Sequence, residues 1–209
     1  MALSKDELKL EENYLENTSK EISNQIDVLG KEIHVKKEKL TEFRKVLWED
    51  KGSIDASEMQ TGLMSSEFEA SFMLMKMDYY RKLLKIEYSP YFGRVDFTEN
   101  AYDLRKDYIG LTNVEKDLDY IVYDWRSPIA SLFYDYGIGK AKYEAPEGEI
   151  NGDISLRRQY KIENNKLVRV FDNDLNVVDE CLQEVLSEKS SDKMKNIVNT
   201  IQEEQNEII

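Results

Sequence analysis

The chain has 209 residues, 41% of them hydrophobic, with a formal charge of −13 and a pI near 4.7. The apolar content is enough for a folded core, and the acidity argues against a general nucleic-acid surface, because phosphate binding rests on clustered Lys and Arg. Cys181 is the only cysteine, which excludes an intrachain disulfide. No stretch approaches the ~18 apolar residues of a membrane span, and the first residues lack a signal peptide's apolar region, so a cytoplasmic protein with no membrane partner is expected.

In chain order, Ile22, Ile26, Leu29, Ile33, Leu40, Phe43 and Leu47 recur at coiled-coil spacing, with Lys36 interrupting the seam. The spacing predicts a helix over 5–49. Ahead of Ile22 the complementary positions hold Lys5, Glu12 and Ser19, poor knobs, so Leu8 and Leu15 are expected to pack on the rest of the protein. A breaker-rich stretch, 51–57, leads to a second amphipathic helix over about 58–88, marked by Phe68, Phe72, Met75, Tyr79, Leu83 and Ile86. The two are expected to form an antiparallel coiled-coil hairpin over 1–90, closed by Ser89 and Pro90.

From Tyr91 the texture changes to short aromatic and β-branched runs at 91–97, 108–111, 120–124, 130–136 and 156–162. Asn151-Gly152 reads as a turn, and residues 163–166 as the connection from 156–162 to a strand at 167–171. Strands without intervening helices imply antiparallel pairing, so a β-rich body is expected over 91–175. Helical patterning returns at 177–186 and 192–209, with Ser191 or Asp192 as a cap and Cys181 as a buried hydrophobe. The last helix reaches the end of the chain without a stop signal, which predicts that 176–209 leads into a further domain. The fold class expected is α+β.

Few residues stand out as chemistry. Tyr136-Gly137-Ile138-Gly139-Lys140 fails as a phosphate loop, since Tyr134 stands where its first Gly belongs and Ala141 where Ser or Thr must follow the Lys. His34 lies off the apolar seam and reads as a solvated helix residue. With no second His and one Cys, a conventional zinc site is excluded. No catalytic or metal residue is assigned. Asp124-Trp125-Arg126-Ser127-Pro128 reads as a structural strand ending. At the predicted hairpin tip, Glu49, Asp50, Asp55 and Glu58 stand against Lys51 alone. Two readings stay open for them: solvation and helix capping, or an acidic probe entering a cation-lined or metal-containing cavity in a partner.

Several blocks together carry a family resemblance: SPYFGRVDF at 89–97, YIG at 108–110, VYDWRSPI at 122–129, RRQY at 157–160, LQEVL at 182–186 and MKNIVNTIQEEQN at 194–206. In order and spacing they resemble the N-terminal part of the HelD proteins, helicase-like ATPases of superfamily 1 related to UvrD and Rep that bind bacterial RNA polymerase. The resemblance implies that the hairpin is the arm inserted into the polymerase secondary channel. It implies that Gln205 is the adenine-reading glutamine of the helicase Q motif, used in an intact parent that binds ATP and magnesium. This stretch would lack the phosphate loop and both ATPase lobes, hold no cofactor and hydrolyse no ATP, and any nucleic-acid contact would come through the parent. Two rival readings are a DNA-guiding accessory module, which the basic run Lys31, Lys36, Lys37, Lys39, Arg44 and Lys45 supports, and a coiled-coil oligomerisation domain.

Overall fold

The computed structural model describes residues 4–49, 55–99, 104–146 and 148–172. Helix α1 (Lys5–Glu49) contains no proline and a single glycine, Gly30. At 1.5 Å per residue its 45 residues extend about 66 Å. Ser4 and Glu7 close a capping box at its start: the Glu7 N–H donates to Ser4 Oγ at 3.2 Å, and the Ser4 N–H donates to Glu7 Oε2 at 3.1 Å. Helix α2 (Ala56–Ile86) starts at Asp55, whose carboxylate accepts the N–H groups of Ser57 and Glu58.

The two helices lie side by side in opposite directions. Gly30 faces Tyr80, Glu32 pairs with Lys76, Lys36 with Glu69, Arg44 with Ser66, and Leu47 meets Gly62. The face of α2 that meets α1 therefore runs through 62, 66, 69, 76 and 80. This corrects the expected α2 seam. Phe68 is 73% exposed and Met75 70%, and Phe72 is also on the surface, while Leu83 and Ile86 are buried as expected. The period was legible, but the bulky residues sit about one residue around the helix from the face that packs, and small or charged side chains take the contact. On α1, Leu47 is buried, Ile26, Leu29, Ile33 and Leu40 are half-buried, and Phe43 is exposed.

The rest of the described chain is a seven-stranded sheet: β1 (Gly93–Glu99), β2 (Leu104–Gly110), β3 (Val114–Lys116), β4 (Asp119–Asp124), β5 (Gly139–Ala145), β6 (Gly148–Glu163) and β7 (Lys166–Asp172). Their order is β3-β4-β2-β1-β6-β5, with β7 also on β6. The 16-residue β6 carries β1 along one edge and β5 and β7 in succession along the other. Strands β3 and β5 have no counterpart in the runs expected from sequence.

Three expectations need correction. The sheet is mixed, because β2 and β4 pair in parallel, Ile109 opposite Tyr123 and Gly110 opposite Asp124. Short β3 supplies the return between them through a turn in which Asp117 and Leu118 both take positive φ. Residues 130–136 form no strand. Pro128 opens a 3-10 turn, Pro128–Ala130, that runs into the short helix α3 (Ser131–Tyr134), a first-turn position that suits proline's fixed φ. Asn151-Gly152 makes no turn and lies within β6. A Cβ on Gly152 would sit 2.3 Å from the Thr98 carbonyl oxygen, so the glycine is there for close approach of β1. The expected connection at 163–166 is present, with Asn164 and Asn165 at positive φ between the paired Glu163 and Lys166.

Each face of the sheet has its own core. One gathers Val95, Phe97, Ile109 and Ile154 under Ile129, Ala130 and Leu132. The other gathers Tyr91, Tyr108, Val122, Tyr160 and Ile162 beneath Leu15 and Ile22 of α1 and Leu83 and Ile86 of α2. Leu15 thus packs as expected, whereas Leu8 is 37% exposed. β1 explains how both faces fill, since Val95 and Phe97 enter the first core while Arg94 and Asp96 point toward α1.

Candidate functional site: a helix pair rooted in the sheet

The root is held by charge as well as by apolar packing. Glu11 of α1 is 2% exposed and receives three hydrogen bonds, from the guanidinium groups of Arg94 on β1 and Arg158 on β6 and from the Tyr108 hydroxyl on β2. The Arg158 bond is 2.8 Å and the Tyr108 bond 3.1 Å. Arg94 also forks onto both oxygens of Asp96, and Arg158 onto both oxygens of Asp172 at the end of β7. Burial would push both arginines down, but the hydrogen-bonded carboxylates outweigh it and hold their pKa values above the ordinary one. One buried carboxylate thus joins the first helix to three strands.

Around this centre sit four tyrosines. Tyr14 stacks on Tyr108 with ring centroids 3.7 Å apart, and Tyr91 meets Tyr14, Tyr108 and Tyr160 edge-on. Burial pushes all four hydroxyls well above their usual pKa, so they stay protonated. Further out, Tyr14 donates to the Ile121 carbonyl, Gln25 to the Glu115 carbonyl, Tyr79 to Gln25, and Ser19 to Asn165. These contacts fasten α1 from Glu11 to Leu29 and α2 from Tyr79 to Ile86.

Beyond that root, the interhelical ion pairs are Lys36 with Glu69 and Lys76 with Glu32, both on the protein surface. This outer half exposes Val35, Phe43, Val46 and Trp48 of α1, and Leu63, Met64, Phe68, Phe72, Leu74 and Met75 of α2. Scattered apolar residues are ordinary on a surface, and here they run along both helices of the outer half.

The residues singled out from sequence take the following places. Asp55 caps α2, Glu58 lies in its first turn, and Glu49 ends α1 within 3.8 Å of Lys45. Asp50, Cys181 and Gln205 lie outside the described residues. His34 is exposed beside Glu38. Gly139-Lys140 opens strand β5 instead of a helix, so no helix N-terminus faces that loop. Asp124 folds back onto Arg126, accepting from its N–H and its guanidinium, and Trp125 packs against the core, which is the structural role expected of that cluster. Among the described residues, no group of three His, Cys, Asp or Glu side chains is placed to hold a metal ion, and no helix is long and apolar enough to cross a membrane.

Sequence reading missed Glu11. Its signal was a charged residue on the stripe Leu8, Glu11, Leu15, Thr18 and Ile22, where the 3-4 alternation calls for an apolar side chain. Arg94, alternating with Asp96 on one face of a strand otherwise filled by Val95 and Phe97, was the complementary sign.

The architecture defines an α+β module in which a helix pair comes first and a mixed sheet anchors it. The chain belongs to the family described as the N-terminal domain of DNA helicase IV HelD, which matches residues 8–191. No curated protein matches the chain.

Proposed function

We propose that this chain is the RNA polymerase-docking module of a helicase-like ATPase, with α1 and α2 as a coiled-coil arm that enters the polymerase secondary channel. The observation that carries the reading is the division of α1: its first part is locked to the sheet through Glu11, while its outer part, beyond Gly30, meets α2 alone among the described residues, through the ion pairs and contacts described. A long helix held at one end and doubled by a second helix is stiff and thin, and suits reaching into a partner. Family membership supports a helicase-associated module. In the intact parent, Gln205 would read adenine and the motor lobes would bind ATP and magnesium, so that nucleotide-linked movement frees or recycles polymerase from nucleic acid. The body at 91–175 would carry the arm, and 176–209 would lead to the motor.

A second reading is a DNA-guiding accessory module, favoured by the family's description as a DNA helicase and by the basic run at 31–45 on α1. Capture of core RNA polymerase by the immobilised chain, with duplex and single-stranded DNA as competitors, separates the two. Polymerase retained in the presence of excess DNA supports docking. Retention of DNA with no polymerase refutes it.

A further inference from the structure

Between the two helices, in their outer half, lies an open groove of about 730 Å³. Its floor is apolar: Ile33, Leu40 and Phe43 from α1 and Met73 from α2. It exists because the residues α2 turns toward α1 at this level include Ser66 and Glu69, which fill less space than the Phe68 and Phe72 rings outside its lining. Two helices cannot close such a trough, but a third laid along it completes a three-helix bundle. From Lys31 to Phe43 the groove follows α1 for about 18 Å, the length of roughly twelve helical residues.

The rim determines the charge of the occupant. Four lysines, Lys31, Lys36, Lys39 and Lys76, line the groove against two glutamates, Glu32 and Glu69. The glutamates are already engaged by Lys76 and Lys36, whereas Lys31 and Lys39 have no ion-pair partner among the described residues. Lys36 and Lys76 each stand 5.4 Å from the Phe72 ring centroid, so the rim is continuous with the exposed apolar strip Met64, Phe68, Phe72 and Met75 on the neighbouring face of α2. This excess of positive charge lies in a protein of net charge −13, which makes it a local feature. An apolar floor between lysine rims suits an amphipathic helix with acidic flanks better than a nucleic-acid strand, which needs a denser array of unpaired cations and exposed stacking platforms.

We infer that this groove is the seat of an acidic amphipathic helix supplied by a partner protein. The inference goes beyond the polymerase reading and does not depend on it. It is tested with two fluorescent peptides of about fourteen residues, each with leucines at one helical face, one flanked by glutamates and its twin by lysines, titrated against the 209-residue chain by anisotropy. The glutamate peptide is expected to bind at least about tenfold more tightly than the twin at low salt, with the preference shrinking as salt screens the rim. In the surface variant K31E/K39E, checked for an unchanged thermal melt, the preference should fall below about threefold or reverse. Equal affinity for the twins, no binding of either up to millimolar concentration, stronger binding of a single-stranded oligonucleotide, or filling of the groove by self-association in ultracentrifugation would each overturn the inference. Peptide binding with failed polymerase capture would leave the groove assignment standing and remove the polymerase reading alone.

Discussion

Replacing Glu11 with Ala tests whether the buried charge cluster holds the helix pair to the sheet. The substitution removes the acceptor of three hydrogen bonds and leaves Arg94 and Arg158 facing each other, both buried, with Asp96, Asp172 and, 3.7 Å from Arg158, Glu7 as their remaining counter-ions. Breaking a buried pair from one side costs about 3–5 kcal/mol, because the orphaned charge keeps its desolvation cost after its partner is gone. For a chain of this size each kcal/mol lowers Tm by roughly 2–4 °C, so a drop of about 6–20 °C is expected. Glu11→Gln should lose less, since an amide oxygen still accepts one guanidinium bond, although its NH₂ then meets a cation. Circular-dichroism melts and urea titration of the three proteins provide the measurement. A loss of under ~1 kcal/mol for the alanine variant, the scale of a surface pair such as Lys36–Glu69, would refute the role given to Glu11.

Phe68→Ala should change stability by less than about 0.5 kcal/mol, since the ring is 73% exposed, whereas Ile22→Ala should cost about 2–5 kcal/mol from a fully buried position; equal losses in urea titration would restore the seam expected from sequence. Gly110→Ala would place a Cβ 2.4 Å from the Pro90 carbonyl oxygen and 2.8 Å from Val122, an overpacking expected to cost about 1–3 kcal/mol or more and read as a lowered Tm. The Ser4 hydrogen bonds hold the Glu7 carboxyl below its ordinary pKa, so its stabilising contribution is present above the ordinary Glu range and is lost as pH falls through the lowered value; Ser4→Ala should raise the Glu7 pKa in an NMR titration. Replacing Glu49 and Glu58 by Gln, and Asp50 and Asp55 by Asn, keeps a side-chain acceptor at the α2 cap and removes only charge; if the acidic end is steered by a positive channel, association with RNA polymerase slows and its salt slope flattens, while equal rates reduce these residues to capping and solvation.

The long helices were legible because a 3-4 alternation of apolar residues over many turns has no rival explanation, while the start of α2 was legible only to within two residues, because Ser57 and Asp55 both have cap chemistry and the structure gives the role to Asp55. What failed was whatever a distant neighbour decides. Phe68 and Phe72 look like seam residues until the sheet, by taking up Leu83 and Ile86, fixes the rotation of α2 and leaves them outside. Residues 130–136 are aromatic enough for a strand, but Pro128 sets a helical first turn and Leu132 finds its pocket from there. Asn151-Gly152 has turn chemistry that is overridden because β1 needs a residue without a side chain at 152. The root of the candidate site was hidden for a related reason: Glu11, Arg94 and Arg158 are each inconspicuous in sequence, and only the sheet brings them together.

Because α1 is one uninterrupted helix, the angle at which its first part meets the sheet sets the direction of its whole length. The outboard length, about twenty residues or 30 Å, turns a tilt of about 10° at the root into a sweep of about 5 Å at Glu49. Arg158 grips Glu11 and Asp172 with the same guanidinium, so strand β7 and helix α1 are tied to each other through one side chain. A change of angle at the sheet is thus carried along the unbroken helix to its Glu49 end.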